Sequence, residues 1–168
     1  MTYLEIDKAL YDIVDEKHKE CQSRLDAIPL ENKNERKALI IEREMYGLCN
    51  RAGLLWYALG TRESCLNKRR GVIGQILQRY PRLNGVFTML GDDEQMTFVA
   101  ALQAEIFMRD QFVRSYYAEL KKAEAAKDIE SGFALQIKIG ACENVFEAWE
   151  KWRMERGLYA GMFSEGLS

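Results

Sequence analysis

The chain has 168 residues, of which 48% are hydrophobic and 30% charged, with a formal net charge of -2. This length and composition are typical of one globular domain, which can bury a core without disulfides or metals. His18 is the only histidine. A serine or cysteine triad, a di-iron helical bundle and the common zinc sites all need histidines in other numbers or settings. We therefore expect no catalytic residue, no metal ligands and no cofactor.

Cysteine usage and the apolar segments favour a soluble cytoplasmic protein. Cys21, Cys49, Cys65 and Cys142 are scattered, without a CxxC pair, and a chain of this length does not need disulfides. The apolar run 53–60 is far too short to span a bilayer, and the N-terminus lacks the pattern of a secretory signal. We expect reduced thiols and no insertion into membranes.

Residues 1–60 predict two helices. The first runs to about residue 27 and carries an apolar stripe from Ile6 to Ile28, after which Pro29 ends it. The second has a seam from Ala38 to Leu59 with spacings of three and four: Ala38, Ile41, Met45, Leu48, Ala52, Leu55 and Leu59. This seam fits either an intramolecular hairpin or a homodimer interface. Gly47 and Gly53 inside it predict close approach of a neighbouring helix.

Three further helices are predicted after residue 60. The third occupies about 62–80 and ends before Pro81, and Asn84-Gly85 indicates a turn. The fourth begins after Asp92, is apolar on more than one face, and is therefore placed centrally. The polar stretch 121–128 ends it, and Asp128 or the pair that follows at 131–132 marks a tight connection. The fifth helix carries two apolar stripes and ends near residue 157, before an irregular tail at 157–168.

No alternating apolar pattern indicates a strand. The predicted fold is therefore all-α: residues 1–168 form a single domain, a bundle of about five helices packed as antiparallel hairpins.

The segment 62–82 reverses the acidic charge of the chain. It contains one acid, Glu63, and six basic residues: Arg62, Lys68, Arg69, Arg70, Arg79 and Arg82. On the predicted helix these charges do not form one cationic face, because Arg69 falls in the apolar stripe with Leu66 and Ile73. The segment is interpreted as a solvated face paired with acids of the first helix, as a surface for an acidic protein partner, or as a nucleic-acid contact.

Two tryptophans, Trp149 and Trp152, lie at the end of the fifth helix. Tryptophan is a frequent anchor of protein interfaces, but an apolar helix also needs core residues. Both alternatives stay open, and we include the two tryptophans with the six basic residues as candidate partner-binding residues.

The leading functional prediction is a non-enzymatic helical binding protein, such as an adaptor, inhibitor or accessory factor, with a protein partner. The alternative is a nucleic-acid-binding protein that uses segment 62–82. A third hypothesis is a hydrolase that depends on the carboxylates of Glu105, Asp110 or the cluster 92–94. Against it, the i,i+4 spacing of Glu105 with Arg109 and of Asp110 with Arg114 indicates structural ion pairs.

Overall fold

The computed structural model describes residues 3–60 and 109–156, together with residues 74, 77, 78, 81, 84 and 85. This part of the chain is helical and contains no strand, which confirms the all-α prediction. Its helices are α1 (Tyr3–Ala27), α2 (Lys33–Gly60), α3 (Arg114–Ala125) and α4 (Ile129–Glu155), and a π-helical turn, Arg109–Val113, leads directly into α3. Among these described helices, none is both long enough and apolar enough to cross a membrane. The tail 157–168 and most of the predicted third and fourth helices lie outside the described residues.

Helices α1 and α2 form an antiparallel hairpin whose connection is held by one arginine. Arg36, in the first turn of α2, donates from Nη1 to the carbonyl oxygens of Leu25 at 3.0 Å and Ile28 at 3.1 Å. The last carbonyls of a helix have no partner within the helix, so this guanidinium acts as a cap for α1. Further along the hairpin, the Cys21 thiol donates to the carbonyl of Leu39 at 3.2 Å.

Helices α3 and α4 form a second antiparallel hairpin with a very short connection. Lys127 is left-handed, with φ 55°. Its N–H bonds to Glu124 O at 3.1 Å, and the N–H of Asp128 bonds to Ala123 O at 2.9 Å. This is the Schellman arrangement of a helix C-terminus. Asp128 then caps α4 by accepting the Ser131 N–H at 3.1 Å, as the predicted tight connection requires.

The two hairpins pack with α2 and α4 side by side and pointing in the same direction. Lys37 Nζ lies 2.6 Å from Glu130 Oε1 near the start of both helices. Further along both helices, Asn144 Nδ2 donates to the Tyr46 hydroxyl at 3.2 Å. Since residue numbers rise together along both helices, the two hairpin connections lie at the same end of the molecule.

Helix α4 is the central element of the described part, since it packs against α1, α2, α3 and the π-helical turn. Its two apolar stripes explain this position, because a helix that buries residues from both stripes needs neighbours on more than one side. The main core is formed by Leu10, Val14, Cys21, Leu25, Leu39, Met45, Tyr46, Cys49, Ala141, Cys142, Val145 and Trp149. The predicted apolar stripe of α1 is confirmed at its buried residues, which are Leu10, Val14, Cys21 and Leu25.

Three local predictions differ from the structure. The predicted close approach of a neighbouring helix at Gly47 is not found among the described residues, because a Cβ added there would meet no atom within 4 Å. Asn84 and Gly85 are helical rather than a turn, and Pro81 lies in a 3₁₀ conformation just before them, where proline is tolerated at a helix start. The fourth helix is not uniformly α-helical, since the π-helical turn inserts one extra residue before Arg114.

Candidate functional site

The six basic residues of segment 62–82 lie outside the described residues. Two of their neighbours are described and agree with the predicted helix faces. Leu77, predicted on the apolar side, is partly buried against the core, whereas Gln78, predicted on the opposite side, is exposed. The apolar side of this segment therefore contacts the hairpins at Leu77.

The two candidate tryptophans are stacked on each other in the last turns of α4. Their ring centroids are 5.1 Å apart and their planes differ by 6°, within the range that favours offset stacking. Trp149 is fully buried, so its ring belongs to the core and not to an exposed surface. Trp152 is only partly buried and packs against that core.

Arg156 covers the outer side of Trp152. Its guanidinium carbon lies 4.3 Å from the centroid of the Trp152 ring, and its Nη1 donates to the Trp152 carbonyl at 3.3 Å. Trp149, Trp152 and Arg156 follow one another at spacings of three and four, and so share one face of the helix. We call these three residues the tryptophan–arginine column. It runs from the core to a side chain that is 40% exposed.

A second guanidinium stacks on the same half of α4. Arg109, in the π-helical turn, places its guanidinium carbon 4.7 Å from the centroid of the Phe146 ring. Phe146 is partly buried against the core, one turn before Trp149. Two arginines from different elements thus stack on aromatic rings of one helix. Arginine favours such stacking because its planar charge is weakly hydrated.

The column has the chemistry to bind an acidic group. Stacking on Trp152 fixes the plane of the Arg156 guanidinium, and a guanidinium presents paired N–H donors that match a carboxylate. Within the described part of the chain, Arg156 forms an ion pair with the adjacent Glu155, whose Oε2 lies 3.8 Å from Nη1 in a long contact between two exposed side chains. Such an ion pair is weak and can exchange for a better-placed carboxylate.

Two acids of α1, the helix that was one predicted source of partners for segment 62–82, form ion pairs within their own helix. Asp12 binds Lys8 and Asp15 binds Lys19, each at a spacing of four residues. The Asp15 carboxylate raises the pKa of Lys19 by accepting its hydrogen bond. An open groove lies along this face, but across the described ranges no group of three or more side chains is placed to hold a metal ion.

A partly buried polar contact that the sequence reasoning did not identify joins α2 to α4 at the buried Tyr46. The Tyr46 hydroxyl donates to Glu42 Oε1 at 2.8 Å and accepts from Asn144 Nδ2 at 3.2 Å. Burial raises the pKa of Tyr46, while the hydrogen bond from Asn144 opposes that rise. Tyr46 widens the apolar seam in the sequence. The only signal for its role is that Glu42 precedes it by one helical turn.

The residues of the hydrolase hypothesis are not brought together by any described contact. Glu105 and the cluster 92–94 lie outside the described residues, as does the side chain of Asp110. His18, the single histidine, is partly buried on α1. Arg109, the predicted i,i+4 partner of Glu105, stacks on Phe146, and the predicted pair itself lies outside the described residues. No protein-family model matches this sequence, and neither a curated protein nor a solved structure matches the chain.

Proposed function

We propose that the protein is a non-enzymatic helical binding protein, an adaptor, inhibitor or accessory factor that docks on an acidic surface of a partner protein in the cytoplasm. The observation that carries the proposal is the tryptophan–arginine column of α4. In this proposal the chain is one domain of about five helices, in which segment 62–82 supplies further positive charge for the same partner.

The column supports docking because its anchor is held in place before any partner arrives. Trp152 stacks on Trp149, which is fully buried in the core, and Arg156 stacks on Trp152. Binding therefore orders few side chains, and the entropy lost on association is reduced. Tryptophan and arginine are also the residue types in which interface binding energy concentrates.

The charge pattern supports an acidic partner. Arg156 and the six basic residues of segment 62–82 have the same sign, while the chain as a whole is slightly acidic. Local positive charge on such a chain attracts acidic protein surfaces and steers their approach. Within this proposal Arg69, which the sequence predicts on a helix face with apolar residues, is the arginine of the segment that an acidic partner would desolvate most.

The homodimer and nucleic-acid alternatives are weaker. Met45 of the Ala38–Leu59 seam is buried in the core, and the Tyr116 hydroxyl donates to its sulfur at 3.6 Å, which supports the intramolecular hairpin for that part of the seam. A nucleic-acid site would favour several cations on one surface, whereas Arg156 lies beside acidic Glu155. The carboxylate hydrolase remains a third hypothesis.

The proposal is tested by capture of partners from the native host with the wild-type chain, followed by affinity measurement with the purified partner. Arg156→Glu and Trp152→Ala are each expected to weaken binding at least tenfold, because truncated hot-spot residues cost more than about 1.4 kcal/mol. Lys121→Glu, which makes the same charge reversal at an exposed site on α3, is the control and is expected to change affinity less than threefold.

Three outcomes would contradict this function. The first is equal binding by Arg156→Glu and Lys121→Glu. The second is a bound partner that is RNA or DNA, with affinity that falls steeply with salt and is lost in an Arg69→Glu variant. The third is capture that returns no protein above background in repeated experiments.

A further inference from the structure

Two of the buried cysteines face each other across the contact between α2 and α4. Cys49 is 2% exposed and Cys142 is 1% exposed, and both belong to the main core. Lys37 on α2 pairs with Glu130 on α4 at 2.6 Å. Cys49 and Cys142 each lie twelve residues further along these parallel helices, so the two free thiols are at the same level of the contact. Cys21 is equally buried, but its thiol donates to the Leu39 carbonyl within the first hairpin. Among the described cysteines, Cys49 on the first hairpin and Cys142 on the second are therefore the two whose thiols lie at the same level of the core.

We propose that Cys49 and Cys142 are a latent disulfide that peroxide closes, locking the first hairpin onto the second through α2 and α4. The proposal is independent of the docking function. It concerns how firmly the two hairpins are joined, whichever partner the protein binds.

The oxidation is balanced with hydrogen peroxide as the oxidant. The thiolate of one cysteine attacks the O–O bond, forms a sulfenic acid and, with one proton, releases one water. The sulfur of the second cysteine then attacks the sulfenic sulfur, and its proton leaves with the hydroxyl group as a second water. Two thiols and one peroxide therefore give one disulfide and two waters.

A disulfide suits this position better than a soft metal ion. Two thiolates bound to Cu(I) would leave a negative charge in an apolar core, which is costly without a buried cation. The disulfide is neutral. The side chain of Met45, one turn before Cys49 on α2, is also buried and would pack against the bridge without any charge change.

The same burial makes the oxidation slow in the closed molecule. The neighbouring Cys142 thiol and the burial of Cys49 both raise the pKa of Cys49 far above that of a free thiol. Since the thiolate is the reactive form, attack requires the contact between α2 and α4 to open. Oxidation should therefore accelerate with rising pH and with low, non-denaturing urea, and the bridge records openings of the two hairpins.

The test treats the full-length chain with hydrogen peroxide under native conditions, blocks the remaining thiols and maps disulfide-linked peptides by mass spectrometry. The expected product is the intramolecular Cys49–Cys142 peptide, and its formation should raise the thermal midpoint by about 10 °C, reversibly with dithiothreitol. Cys21→Ala should form the same bridge. Cys49→Ala should lose both the bridge and the shift in midpoint.

The proposal is overturned if the native chain links Cys21 or Cys65 instead, or if Cys49 and Cys142 collect separate sulfinic acids. It is also overturned if both thiols survive peroxide at high pH and in low urea while denatured chain is oxidised. Because the main measurement uses the wild-type chain, a poorly folded variant does not affect this conclusion.

Discussion

Replacing Tyr46 by phenylalanine tests the contact that joins α2 to α4. The substitution removes only the hydroxyl, which donates to Glu42 at 2.8 Å and accepts from Asn144 at 3.2 Å. The ring stays in a site where only 2% of the residue is exposed. The change in unfolding free energy therefore reports the hydrogen bonds and not the packing.

The expected loss of stability is about 2 kcal/mol. A hydrogen bond to a charged group contributes about 1.5–3 kcal/mol, and a neutral one contributes about 1 kcal/mol. Some of this is recovered, because the Glu42 side chain is 18% exposed and keeps a contact with Arg24 at 3.8 Å. Water can therefore replace part of what the carboxylate loses.

The chain offers a matched control on its surface. Tyr117 also donates to a glutamate, with its hydroxyl 3.0 Å from Glu143 Oε1, but Tyr117 is 45% exposed. Tyr117→Phe removes the same type of bond where water replaces it, so we expect a loss below about 0.5 kcal/mol. Urea unfolding followed by circular dichroism measures both variants. If Tyr46→Phe costs no more than Tyr117→Phe, the buried contact does not stabilise the packing of the hairpins.

Further substitutions test two helix glycines, a left-handed residue and a helix cap. Gly47→Ala should stabilise the protein by about 1 kcal/mol, because alanine favours a helix and the added Cβ meets no atom within 4 Å. Gly140→Ala on α4 should act in the same way, and a loss of stability in either variant would contradict the open space around these glycines. Lys127→Gly should raise the free energy of unfolding by about 1 kcal/mol by relieving the left-handed φ of 55°, while Lys127→Ala should leave it nearly unchanged. Hydrogen bonds from the side chain and backbone of Ser131 lower the pKa of Asp128 below 3.8. Its stabilising effect is thus present above about pH 4 and is lost as the pH falls through the lower folded value. Asp128→Asn should therefore show a smaller fall in melting temperature between neutral and acid pH than the wild-type chain, as measured by melting curves at several pH values.

Local signals in the sequence predict most of the described helices. The first helix ends near residue 27 because Pro29 and a polar run follow it, and the structure ends α1 at Ala27. The connection before α4 is recognised from Asp128, because an aspartate at a helix start satisfies backbone donors wherever the helix later packs. Such features depend on neighbours in the chain, so one sequence is enough to find them.

The arrangement of the two hairpins depends on pairings across the chain, which helical periodicity does not specify. The hydrogen bond between Tyr46 and Asn144 and the ion pair between Lys37 and Glu130 set α2 beside α4. Each of these side chains looks ordinary within its own helix, since the partner lies more than ninety residues away. The π-helical turn is a similar case. Its Arg109 stacks on Phe146 of α4, and no sequence pattern within Arg109–Val113 predicts an extra residue in the turn.

The same reasoning separates the two candidate tryptophans. In the sequence they are equivalent, because both are large, apolar and three residues apart on one helix. They differ in depth, however, because Trp149 is fully buried in the core and Trp152 is only partly buried against it. Trp152 lies at the edge of the core, and there Arg156 covers its ring, with the guanidinium carbon 4.3 Å from the ring centroid. A partner-binding residue on a central helix is therefore expected at this border, where packing holds an aromatic ring in place and the arginine over that ring stays partly exposed to a second molecule.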